Sequence, residues 1–91
     1  MSYHGWKNWE TWNVALWLGN DEGAYRECLR LAKRANHYRP IESDHAELIV
    51  RELMPDGTPG MDQTDKGYAA VDWNEIAADI NEMAGLEEEP A

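Results

Sequence analysis

Ninety-one residues leave room for one domain, because domains cluster around roughly 100 to 150 residues and so short a chain must spend nearly all its apolar groups on one core. Five tryptophans and four tyrosines supply the bulk without any phenylalanine, so the aromatic part is built from rings carrying a polar atom that seeks a hydrogen-bond partner. The net charge of −10 is uneven, with six Lys and Arg against four acids in residues 1–41 and two against fourteen in residues 42–91, which repels nucleic acid from the molecule as a whole.

The opening MSYHGWKNWE lacks the charged, apolar, small-residue order of a secretory signal, and no run of about 18 apolar residues follows, so a cytoplasmic protein without a membrane role is expected. Asn8 is placed to cap a first helix over about 9–18, with Gly19 as its stop. Projected at about 100° per residue, Trp9, Trp12, Ala15 and Leu16 share one side, while Val14, Trp17 and Leu18 cover much of the rest, as in a central helix. Trp9, Trp12 and Leu16 are accordingly expected in the core, with Trp6 or Trp17 as the tryptophans available to an interface. Asn13, the odd polar residue, is expected to be a hydrogen-bonded amide that fixes packing.

Asn20 and Asp21 offer a cap for a second helix over about 21–37. Arg26, Arg30, Lys33, Arg34 and His37 fall on the side opposite its apolar stripe and form a basic ridge, which is either a solvated face or an alternative binding surface. Cys28 lies on the apolar side and reads as a buried thiol. Pro40 ends this segment, and a third helix over about 44–54 is expected from Asp44 and Glu47 as a capping box, with Ala46, Ile49, Val50 and Leu53 at helical spacing.

Residues 55–67 (PDGTPGMDQTDKG) read as a long loop, and Tyr68 to Val71 as a short extended segment. Asp72 as cap, Glu75 three residues on and Val71 placed to pack on Ile76 predict a last helix over about 73–84, stopped by Gly85, with Ile76 and Ile80 inward and a frayed tail over 86–91. The fold class is therefore all-α: about four helices around a Trp-rich core, with at most one short extended segment.

Catalytic and metal chemistry find little support. His4, His37 and His45 stand at no zinc spacing, and Cys28 alone supplies no thiolate set. In the stretch Asp62, Thr64, Asp65, Gly67 a lysine and Trp73 occupy positions where a calcium loop needs oxygen ligands. Ser2 and Ser43 lack a nucleophile setting, and GTPG at 57–60 lacks the Lys-Ser/Thr of a phosphate loop. No enzyme, metal or cofactor is expected.

The segment Asn8-Trp9-Glu10-Thr11-Trp12-Asn13-Val14-Ala15-Leu16-Trp17, followed by Asn20-Asp21-Glu22-Gly23 and Tyr25, is more distinctive than amphipathicity requires. It resembles a family of small proteins carried by phages, plasmids and other mobile elements. The resemblance is strong over Gly5 to Tyr25 and weaker over Trp73 to Met83, and it implies an accessory protein acting inside the host cell, with no catalytic residues to transfer.

Combined with the charge pattern, the expected function is binding and inhibition of a host protein with a basic nucleic-acid-binding groove, most concretely as an anti-CRISPR or anti-restriction factor. Its contact residues would be Asp72, Glu75, Asp79 and Glu82, within roughly 80° of helix arc, with Asp44 and Glu47 beginning a second acidic stripe. The alternatives are an adaptor that forms homo-oligomers through exposed tryptophans, and nucleic-acid contact through Arg26, Arg30, Lys33 and Arg34.

Overall fold

Asn8 starts the first helix: its Oδ1 accepts the Thr11 backbone N–H at 2.9 Å and the Thr11 hydroxyl at 2.6 Å. A computed structural model describes residues 3–61 and 65–86, and these form α1 (Trp9–Asn20), α2 (Glu22–Ala35), α3 (Ser43–Leu53), the short α4 (Asp65–Ala69) and α5 (Trp73–Ala84). The chain is all-α, and α5 packs against α1, α2 and α3. Residues 62–64, part of the expected loop and of the rejected calcium pattern, and 87–91, most of the expected tail, lie outside the described residues.

Helix boundaries depart from the expected ones where a side chain elsewhere supplies a better cap. α1 passes through Gly19, because the Asp21 N–H closes it on the Trp17 carbonyl at 3.1 Å while the Asp21 carboxylate accepts the Ala24 N–H at 3.1 Å and opens α2. One residue thus ends one helix and starts the next. α2 stops at Ala35 rather than His37, since His37 (φ 52) and Tyr38 (φ 66) turn left-handed and the Tyr38 N–H reaches back to the Lys33 carbonyl at 2.9 Å. α3 is capped two residues earlier than expected. Glu42 is its N-cap, its N–H donating to His45 Nδ1 at 3.1 Å, so Asp44 and Glu47 form no capping box.

The second half holds two further corrections. Tyr68 to Val71 is not extended: Tyr68 and Ala69 end α4, and the N–H groups of Ala70 and Val71 bond back to the carbonyls of Gly67 and Tyr68 at 3.3 and 3.2 Å. Leu86 does not fray, because Gly85 (φ 68) turns the chain so that the Leu86 N–H meets the Asn81 carbonyl at 2.8 Å and its side chain is buried.

The fully buried core is aliphatic rather than Trp-rich. Val14 and Leu18 of α1, Ala46 and Val50 of α3, and Ile76 and Ile80 of α5 meet at its centre, with Ile49 also buried. Trp9 and Leu53 are half-buried and pack on its outside with Trp6 and Trp73. Trp12 and Leu16, expected inside, are half-buried and lie outside this cluster. The cause is a rotation of α1 that polar groups impose. Thr11 is fully buried because its hydroxyl accepts the Asp72 N–H at 2.9 Å, which turns Thr11, Val14 and Leu18 inward. Trp12 is packed instead by Tyr3 and His4, at ring separations of 5.1 and 5.4 Å.

Asn13 turns inward for the same reason. Its Nδ2 donates to the Pro59 carbonyl at 3.2 Å, and its Oδ1 accepts the Thr58 hydroxyl, so a polar pair fastens the loop after α3 to α1. Gly60 (φ 86) lies over the Trp9 ring, where an added Cβ would sit 3.7 Å from the indole. Cys28 is fully buried in α2, and burial pushes its thiol up to about 12, with Asp79 adding to the rise. A thiol held neutral and covered is unreactive. Alkylation of the native protein at pH 8 should therefore proceed no faster than unfolding, and rapid labelling in buffer that leaves the circular-dichroism spectrum native would contradict this packing.

Candidate interaction face on α5

Asp72 accepts the N–H groups of Asn74 and Glu75 at 3.0 and 3.2 Å, so α5 begins at a fixed point on the surface. The N-terminal arm is tied to that point. The Lys7 N–H donates to Glu75 Oε1 at 2.8 Å, Lys7 Nζ lies 4.0 Å from the Asp72 carboxylate, and Asn8 Nδ2 donates to the Ala70 carbonyl at 2.7 Å. Ahead of it a tight turn, with His4 (φ 49) and Gly5 (φ 89) left-handed, is closed by paired backbone bonds between Tyr3 and Trp6. This stands Trp6 beside α5.

Between arm and helix runs an open groove of about 340 Å³ lined by Gly5, Trp6, Glu75, Ala78, Asp79 and Glu82. Across Ala78 a second shallow groove, lined by Glu42, Ser43, Asn74 and Asn81 among others, separates α5 from the start of α3. Asn81 holds that side in place, accepting the Ile41 N–H at 2.8 Å and donating to the Ile41 carbonyl at 3.0 Å. Both grooves are too open to enclose a small substrate, and their shape suits side chains of a larger partner.

Three of the predicted acids, Glu75, Asp79 and Glu82, share the first groove, and Asp72 sits at its head as a cap beside Lys7. Asp44 and Glu47 line neither groove. Glu47 bonds Arg51 at 2.8 Å, and the acid that borders the α5 face from α3 is Glu42. Trp6 and Glu42 come from distant parts of the chain, so the α5 periodicity alone gave no sign of their place there. On α2, the Arg26 guanidinium bonds Glu22 at 2.5 Å and Arg30 bonds Glu27, holding that carboxyl below its usual range, so Arg26 and Arg30 of the basic ridge are paired within their own helix.

Among the described residues Asp79 and Glu82 have no cationic partner. Burial lifts the Asp79 carboxyl above the ordinary aspartate value, and the Glu82 charge adds to the lift. The folded state therefore holds this proton more tightly than the unfolded chain. Stability falls as pH rises from the ordinary aspartate value through the raised one, and at neutral pH the ionised group opposes folding. The isosteric Asp79→Asn should thus melt higher than the parent at pH 7, with the gap closing below the ordinary aspartate range. Equal melting at pH 7 would show that Asp79 is not strained.

A family model described as a family of unknown function matches residues 1–90. The chain belongs to DUF7249. Membership in DUF7249 takes in every helix described above, including the middle region where the N-terminal motif gave no guidance. No significant match is found among curated proteins or solved structures. Among the described residues no helix is long and apolar enough to cross a membrane, and no group of three or more His, Cys, Asp or Glu is placed to hold a metal ion.

Proposed function

We propose that this member of DUF7249 is a non-catalytic binding protein whose α5 face docks on a basic surface of another protein. The observation that carries the reading is Asp79, a half-buried carboxyl beside Glu82 and Trp6 that has no cationic partner among the described residues. A guanidinium or ammonium from a partner would remove that penalty and stack on the indole at the same time. Glu75, Asp79 and Glu82 follow one another at i+4 and i+3, about 5–6 Å apart at Cβ, so the face presents a row of negative charges as a nucleic-acid backbone does.

The most concrete version is an accessory protein of a phage or plasmid that occupies the nucleic-acid groove of a host defence protein, as an anti-CRISPR or anti-restriction factor would. The N-terminal motif supports the mobile-element setting, and the unpartnered acids support the groove. Neutralisation of Arg26 and Arg30 weighs against direct nucleic-acid contact. None of the five tryptophans is fully exposed, which weighs against self-association through them.

The test compares affinity capture from host lysate by the parent, by Asp79→Asn with Glu82→Lys, and by Arg30→Glu with Lys33→Glu. The reading requires a protein that the parent and the α2 variant retain, that the α5 variant loses, and that moderate salt elutes. Retention by the α5 variant together with loss by the α2 variant overturns it.

A further inference from the structure

Away from the α5 grooves, α2 and α3 leave a third open groove, of about 290 Å³. Leu31 and Ile49 form its floor, Leu48 stands on its rim at 67% exposure, Arg34 and His45 mark one end, and Glu52 marks the other. The two helices are joined by residues 36–42 and pack as an antiparallel hairpin, which sets Arg34 across from Leu48 and Arg30 across from Glu52. Among the described residues Leu48 is the one aliphatic side chain of the exposed large hydrophobic residues, and it lies between opposite charges about one helical turn apart.

Charge decides what can cover this groove. α2 carries four bases and two acids, α3 carries one base and three acids, and the hairpin sums to zero in a chain of −10. α5 by contrast carries three acids and no base. The hairpin is therefore the surface on which two copies of this acidic chain can meet without local repulsion, the remainder being screened beyond about 8 Å at physiological salt. The net charges of the two helices are also opposite, so the surface complements itself.

We infer that the α2–α3 groove is the interface of a two-fold symmetric homodimer, in which Leu48 packs against Leu48 of the second copy and Arg34 pairs with its Glu52. A two-fold axis lying in the interface and crossing the Arg34–Glu52 diagonal at its midpoint makes the ion pair twice and brings the two leucines together at the centre. The α5 faces remain free on the outside, so the dimer presents two acidic rows. This surface is distinct from the tryptophans and from the α5 groove, and it stands or falls independently of what α5 binds.

Sedimentation velocity of the full chain over a concentration series tests the interface directly. The parent should dimerise, and Leu48→Glu should raise the dimer dissociation constant by at least about tenfold while leaving the helical spectrum unchanged. Arg34→Glu and Glu52→Arg should each weaken the dimer by a similar factor, and the double exchange should restore it to within about threefold of the parent, because each pair is then re-formed with its signs reversed. A parent that stays monomeric up to about 1 mM overturns the proposal. So does a dimer that survives Leu48→Glu, or a double exchange no tighter than either single change.

Discussion

Leu18→Ala should destabilise the protein by about 2–5 kcal/mol, whereas Leu16→Ala, two residues away in the same helix, should cost no more than about 1 kcal/mol. Leu18 is fully buried among the central aliphatic residues, so truncation removes apolar contact and leaves a void that the packed helices cannot fill. Leu16 is half-buried and outside that cluster, and water can replace part of what is lost. For a domain of this length each kcal/mol moves the melting temperature by roughly 4–8 °C, so the two variants should separate clearly in a thermal scan. Equal losses, or a greater loss at Leu16, would show that α1 is rotated the other way.

The second large effect concerns the polar pair under the loop after α3. Replacing Thr58 by the isosteric Val deletes the hydroxyl that Asn13 Oδ1 accepts and strands a buried carbonyl oxygen, at about 1–3 kcal/mol. Asn13→Ala should cost a similar amount, about 1–3 kcal/mol, since it takes the acceptor from the buried Thr58 hydroxyl, whereas the carbonyl of the exposed Pro59 can turn to water. The two changes remove the same contact. In urea unfolding the double variant should thus fall short of the summed losses by about 1 kcal/mol, and strict additivity would mean that the pair does not form.

These residues also show which parts of the fold could be read from the sequence. Asn8, Asp21, Asp72 and Gly85 act within a few residues of themselves, and local spacing located all four. Inward orientation of Thr11 and Asn13 depends on Asp72, Thr58 and Pro59, which stand 45 to 61 residues away, so a hydropathy projection of α1 alone assigned the wrong face. α4 is a single turn embedded among turn-forming residues and carries too few positions to show a helical period. The acids of α5 share an arc that the sequence displays. Their setting did not show, because the wall facing them is the turn at Gly5 and Trp6, held there by tertiary hydrogen bonds from Lys7 and Asn8, and Glu42 borders the neighbouring groove across Ala78, where Asn81 bonds Ile41.

The position of α5 bears on when the molecule can form at all. It packs on α1, α2 and α3, contributes Ile76 and Ile80 to the core, and presents the Asp72 N–H that turns Thr11 inward. Without α5 the α1–α2 and α2–α3 contacts still exist, but Val14, Leu18 and Val50 lack the cover that Ile76 and Ile80 supply. Synthesis proceeds at about 5–20 residues per second, so this cover is made after the other helices. A pause placed between α3 and α5 should therefore lengthen the interval in which chaperones and proteases can reach the uncovered apolar side chains.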